Sequence, residues 1–161
     1  MTVTIKTPED IEKMRIAGRL AAEVLEMIGE HVKPGVTTEE LDRLCHEHIV
    51  NVQQAIPAPL NYKGFPKSLC TSINHVVCHG IPDMRELVDG DIVNVDISAI
   101  LDGFHSDLNE TFCVGNVSDQ KKALIKATHD SLFKAIDMCK PGTFYRDLGG
   151  VITSHIKANG F

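Results

Sequence analysis

Residues 91–114 read DIVNVDISAILDGFHSDLNETFCV, and their interpretation decides the rest of the chain. Two alternating runs, Asp91–Leu101 and Phe104–Val114, flank an Asp102-Gly103 pair. Asp-Gly between alternating segments predicts a β-hairpin closed by a two-residue type I′ turn, because both central residues of that turn need positive φ. The turn fixes the register: Leu101 opposes Phe104, Ser98 opposes Asp107 and Asp96 opposes Asn109. Alternation then puts Asn94, Asp96, Ser98, His105 and Asp107 on one face. Val93, Val95, Ile97, Ala99 and Phe104 fall on the other. Asp96 and Asp107 become diagonal neighbours with backbones about 7–8 Å apart. A wet polar face is the ordinary reading of such a hairpin. Against it, Asp is depleted in strands and like charges on adjacent strands repel. A cation between them relieves that repulsion, and a pair of ions about 3.5–4 Å apart fits the same space. Spacing alone leaves both readings open.

Working outward, Thr7-Pro8-Glu9-Asp10 is a helix start, with a capping hydroxyl, Pro in the first turn and acids at the positive end of the dipole. Ile11, Met14, Ala17, Ala21, Val24, Leu25, Ile28 and Val32 follow at helical spacing, up to Lys33-Pro34-Gly35. Thr37 or Thr38 caps a second helix with Leu41, Leu44, Cys45, His48 and Ile49 on one face. Residues 51–70 hold Pro57, Pro59, Gly64 and Pro66 and read as a loop. Ser68–Asp83 alternates well enough for two short strands. Beyond the hairpin, Ser118–Cys139 and Tyr145–Ala158 read as a third and a fourth helix.

An internal repeat ties these parts together. HVKPGVTTEELDRLCHEHI (His31–Ile49) aligns without gaps on MCKPGTFYRDLGGVITSHI (Met138–Ile156). Lys-Pro-Gly, the acid before Leu, and His-Ile coincide, and Leu41, Leu44 and Cys45 fall on Leu148, Val151 and Ile152. Matching helix, loop and helix lengths favour a structural repeat over shared turn chemistry. The first copy continues into the strands bearing Asp96 and Asp107. The second reaches Gly160-Phe161, where its strands would begin.

The chain has 161 residues, 43% apolar and 24% charged, which suits one globular domain with a real core. A net charge of -6 argues against nucleic acid as a partner. Met1-Thr2-Val3 opens no basic-then-apolar leader, and no apolar run is long enough to span a bilayer. The 5 cysteines are scattered with no C-x-x-C, which fits a reducing cytoplasm better than a disulfide framework or a zinc knuckle.

NYKGFPKSLCTSINHVVCHGIPD followed by DGDIVNVDISAILDGFHSDLNETFCVG resembles the type I methionine aminopeptidases, as does IKTPEDIEKMRIAGRLAAEVLEMI near the amino terminus. The likeness covers essentially the whole chain and corresponds to the amino-terminal part of the family's catalytic domain. It implies an α+β chain of the pita-bread (creatinase/aminopeptidase-like) fold: the first αβ half plus the helices of the second, over a single shortened domain, residues 1–161. It implies Asp96 as a ligand to one of two divalent metal ions and Asp107 as a bridge between both. Co, Mn, Fe or Zn are the candidates, with oxygen donors favouring the first three. His79 matches a histidine that contacts substrate near the scissile amide, making it the catalytic candidate. Tyr62, Phe65 and Cys70 match positions around a methionine side chain, where soft apolar walls suit a flexible thioether. The implied reaction is metal-assisted removal of the initiator Met from nascent polypeptides in the cytoplasm, on peptides with N-terminal Met, near the ribosome and with no membrane.

This sequence departs from the pattern in two ways. The family's further His, its two Glu ligands and its general-base Glu belong to a region beyond Phe161, so weak metal binding and little hydrolysis are expected. Ser106 stands where the family usually has Gly, which puts a side chain on the apolar face. Two other readings follow: a non-catalytic peptide- or protein-binding half-domain, and self-association of the half-domain through an open sheet edge. His46, His48 and His155 read as packing residues on helices, and Cys78 as a small core residue. His105 shares the acidic face and reads equally as a neighbour of the metal ligands or as a solvent-exposed residue.

Overall fold

The computed structural model describes residues 3–161; Met1 and Thr2, on which the no-leader reading partly rests, lie outside the described residues. Four α-helices occur among the described residues: α1 Pro8–Gly29, α2 Thr38–Glu47, α3 Asp119–Asp137 and α4 Tyr145–Ala158. The strands are β1 Ile56–Pro57, β2 Cys70–Ile73, β3 Ile92–Leu101 and β4 Phe104–Cys113. One compact unit runs through Asn116 and a second spans Val117–Phe161.

In the first unit, β3 is the spine of a 4-stranded antiparallel sheet. β4 pairs along one edge, with Asp96 opposite Asn109, Ser98 opposite Asp107 and Leu101 opposite Phe104, the register read from the turn. Asp102 (φ 49) and Gly103 (φ 81) both take the left-handed conformation that a type I′ turn requires. The other edge of β3 is shared: β1 pairs at Ile100 and Ala99, and β2 at Asp96 through Val93. The apolar face, with Val93, Val95 and Ile97 at 0% exposure, packs into one core with α1 and α2.

Helix α1 starts where its chemistry says. The Thr7 hydroxyl accepts from Asp10 N–H, and the Asp10 carboxylate accepts from Thr7 N–H, a closed capping box. Its buried stripe is Ala17, Ala21, Val24, Leu25 and Ile28. Ile11 and Met14, expected in that stripe, are 43% and 42% exposed because the core lies against the helix's later turns. The helix also ends at Gly29, before the Lys33-Pro34-Gly35 stop. Thr37 caps α2, which widens into a π-type turn over His48–Val52, closed by Gln53 N–H to His48 O at 3.0 Å.

Only one of the two strands expected in Ser68–Asp83 forms, β2. Asn74 takes φ 51 and turns the chain out, so the return segment forms no ladder with β2 and is joined to it by separate bonds, Val76 N–H to Ile73 O at 3.1 Å across the turn and Thr71 N–H to Gly80 O at 2.9 Å. The segment 51–70 is likewise less loop-like than its Pro and Gly content suggests, holding β1 and a 3₁₀ turn at Tyr62–Gly64.

In the second unit, α3 is capped by Ser118 and packs along α4. The repeat is present in the local hydrogen bonding. Val36 N–H reaches Lys33 O at 3.3 Å, and Thr143 N–H reaches Lys140 O at 3.1 Å. His31 N–H to Ile28 O (2.9 Å) is matched by Met138 N–H to Ala135 O (3.1 Å). Gly35 (φ 87) and Gly142 (φ 93) make the same left-handed step, and α2 and α4 start at aligned residues, Thr38 and Tyr145.

Candidate metal centre and cleft

The polar face of the hairpin forms the floor of a cleft of about 770 Å³ within the first unit. Tyr62, Phe65, Cys70, His79, Asp96 and Asp107, the six residues singled out in the sequence, all line it. The volume is in the range of a small-ligand site. β3 and β4 supply the carboxylates, β2 supplies Cys70, and the two connecting segments on either side of β2 supply the walls.

Asp96 is half-buried, and its Oδ1 is a buried atom with no hydrogen-bond partner. Leaving a carboxylate oxygen so placed is costly. Burial pushes the Asp96 carboxyl above its ordinary range, the neighbouring Asp107 carboxylate pushes further, and nearby His79 pulls partly back. Asp107 is exposed and accepts a hydrogen bond from Ser98 Oγ at 3.3 Å. An orphaned oxygen beside a second carboxylate is a donor set for a hard divalent cation. Among the described residues, no three His, Cys, Asp or Glu side chains gather as a set that could hold a metal ion. The residues present therefore fit such an ion in kind and supply two side chains toward it.

His79 is exposed, with left-handed φ 54, an uncommon state for a non-glycine residue and one typical of functional turns. Gly80 pins it in place. Its N–H donates to Ser72 Oγ at 3.2 Å, and a Cβ there would lie 2.0 Å from the Thr71 carbonyl oxygen. Cys70 is buried in the cleft wall, its thiol pushed up to about 11 by burial first and then by the Asp96 carboxylate. Cys78 is exposed, not a core residue, because the segment after Asn74 leaves the sheet. Tyr62 is 64% exposed, and Phe65 is half-buried.

Ser106, the departure from glycine, fits without strain. It is 6% exposed and its Oγ donates to the cross-strand Ala99 carbonyl at 3.1 Å. Pro59, Ile81 and His105 also line the cleft. Ile81 follows His79 in the Cys78–Pro82 stretch, and its role as a wall had no signal apart from that neighbourhood.

The sequence profile of metallopeptidase family M24 matches residues 12–161. The chain belongs to that family. Within M24, it is 56% identical over 162 aligned positions to the methionine aminopeptidase of Escherichia coli (strain K12), spanning 100% of this chain and 61% of that relative. A crystal structure of methionine aminopeptidase from Rickettsia prowazekii superposes with a TM-score of 0.95 at 52% identity, over 98% of this chain and 63% of that one. A Xaa-Pro dipeptidase from Bacillus anthracis, at 23% identity and a TM-score of 0.84 over 98% of this chain and 42% of its own, shares the fold. The chain has the α+β pita-bread fold of these M24 proteins, and the family implies divalent metal. It spans about three fifths of the length of these two methionine aminopeptidases, from Escherichia coli and Rickettsia prowazekii. No helix among the described residues is long and apolar enough to cross a membrane.

Proposed function

We propose that this chain carries the substrate cleft and the first two carboxylate ligands of a methionyl aminopeptidase, acting on peptides with N-terminal Met. The observation that carries the reading is the partnerless buried Oδ1 of Asp96 beside Asp107, on the floor of a cleft with Tyr62, Phe65 and Cys70 in its walls. Asp96 and Asp107 would hold two divalent cations, of Mn, Co, Fe or Zn. When bound, such ions acidify water and polarise a carbonyl. Tyr62, Phe65 and Cys70 exclude water from the methionine side chain, and the His79 imidazole hydrogen-bonds the substrate amide. The reaction is excision of the initiator Met from nascent chains, which places the protein in the cytoplasm near the ribosome.

Two carboxylates do not close a dinuclear site, so metal binding by the chain alone is weak and turnover low. That same shortage favours a second reading, a non-catalytic module that binds peptides through the same cleft. Release of Met from Met-Ala-Ser with added Mn or Co decides between them. Turnover that falls at least about 100-fold in Asp107→Asn supports the enzyme, since losing a ligand removes a charge-assisted contact. No turnover, with less than one metal per chain and retained peptide binding, supports the module.

A further inference from the structure

Helix α2 approaches the cleft from behind and holds both of its walls. Thr38, Asp42 and His46 recur every four residues and share one side of the helix. Thr38 Oγ1 donates to the Asp83 carbonyl at 3.0 Å and accepts from Asp83 N–H at 2.9 Å, while Glu39 N–H donates to the same carbonyl at 2.8 Å. These bonds fix the segment that carries His79 and Ile81. One turn later, Asp42 Oδ1 accepts from Ser68 N–H at 2.8 Å and from Leu69 N–H at 3.2 Å. His46 Nδ1 lies 2.7 Å from Ser68 Oγ, and Lys67 pairs with Glu39. These contacts fix the opposite segment, where the Tyr62–Phe65 turn runs into Cys70.

Neither Thr38 (2% exposed) nor Asp42 (8% exposed) reaches the cleft. A buried carboxylate is costly unless its hydrogen bonds compensate, and an apolar side chain would fill the same core position at lower cost. The bonds Asp42 makes to Ser68 and Leu69 end where the cleft wall begins.

We infer that Asp42 is a positioning residue of the cleft: with Thr38 one turn earlier, it sets the separation of the Tyr62–Phe65 wall from the His79 wall, and so which N-terminal side chain fits between them. The inference rests on the proposed function for the identity of that side chain as methionine; the clasp itself does not.

The test uses the full chain with Asp42→Ala, Asp42→Asn and Thr38→Val. Asparagine keeps a carbonyl oxygen for the two N–H donors. Three readouts separate positioning from general support: amide hydrogen exchange by segment, Mn titration, and Met-Ala-Ser affinity in the presence of Mn. In Asp42→Ala, exchange over residues 58–69 rises about tenfold or more and Met-Ala-Ser binding weakens about tenfold, the scale of losing hydrogen bonds to a charged acceptor. Exchange over residues 92–101 and the Mn titration stay as in the wild type, and Asp42→Asn restores both altered readouts to within about twofold. Thr38→Val, which conserves volume, confines the exchange increase to residues 78–85 and weakens peptide binding, so the inference stands or falls even where Asp42→Ala does not fold. Exchange rising evenly through β3 and β4 in either variant, unchanged over 58–69 in Asp42→Ala, or unchanged over 78–85 in Thr38→Val overturns it, as does a variant that binds Met-Ala-Ser as tightly as a wild type that binds it. A wild type that binds no Met-Ala-Ser removes the proposed function, while the exchange maps still decide the clasp.

Discussion

At the scale of single residues, the cleft depends on groups held in costly states. Asp96 keeps an oxygen without a partner, and His79 occupies left-handed backbone. Gly80, next to His79, lets the return segment approach the Thr71 backbone closely. Gly80→Ala drives a methyl into the Thr71 carbonyl, a backbone atom that cannot swing away. The expected result is a loss of about 1–3 kcal/mol in urea unfolding together with a displaced His79 resonance in NMR spectra. A stability and a His79 shift both equal to wild type would show that the return segment moves freely. Ser106 is the converse case, a side chain with a partner in the sheet. Ser106→Gly loses its bond to Ala99 O and gains backbone freedom, so β4 loses about 1 kcal/mol, measurable as a lower urea midpoint.

Among the elements, the β3–β4 hairpin and α1 carry the first unit. Ile97 is 0% exposed at the centre of the sheet, and Ile97→Ala should cost about 2–5 kcal/mol in chemical denaturation. The cap of α1 gives a pH prediction. The Asp10 carboxyl is held below its ordinary range, first by the Thr7 N–H and then by the Thr7 hydroxyl. The fold therefore favours the charged form. Its contribution is complete above the unfolded aspartate value, about pH 3.9, and is lost as pH falls through the lower folded value. Asp10→Asn should melt below wild type at neutral pH, with the gap closing on acidification; a gap that persists in acid would assign the loss to packing. The hairpin was fully legible, because Asp102-Gly103 is a local signal and register follows from it. The second strand of Ser68–Asp83 was not. Its alternation resembles a strand, but the turn at Asn74 leaves it joined to β2 by separate bonds at Val76 and Gly80 instead of a ladder.

At the scale of the whole molecule, the two units differ in how much they bury. α4 has no buried residue among those described, whereas the alternate residues Val93, Val95 and Ile97 of β3 are fully enclosed. Hydrogen exchange should therefore be fast throughout α4 and slow in β3. On α3, Leu132, Phe133 and Ile136 are 53%, 52% and 50% exposed. Leu25, on α1 of the first unit, is by contrast a core residue at 8%. Apolar surface of this kind, together with β4 at a sheet edge, predicts self-association. Light scattering should show mass per particle rising with concentration; a monomer at high concentration rules that out.

The repeat, the cap of α1, the hairpin register and the common face of Asp96 and Asp107 were determined by the sequence alone, because each rests on spacing and turn chemistry within a few residues. That Tyr62, Phe65, Cys70 and His79 share a cleft with those aspartates was implied only by likeness to the family. Tertiary structure decided which oxygen lacks a partner, that Gly80 must lack a side chain, and that Asp42 and Thr38 hold the walls. Those facts depend on residues distant along the chain meeting at hydrogen-bond range, and local pattern carries no record of such meetings.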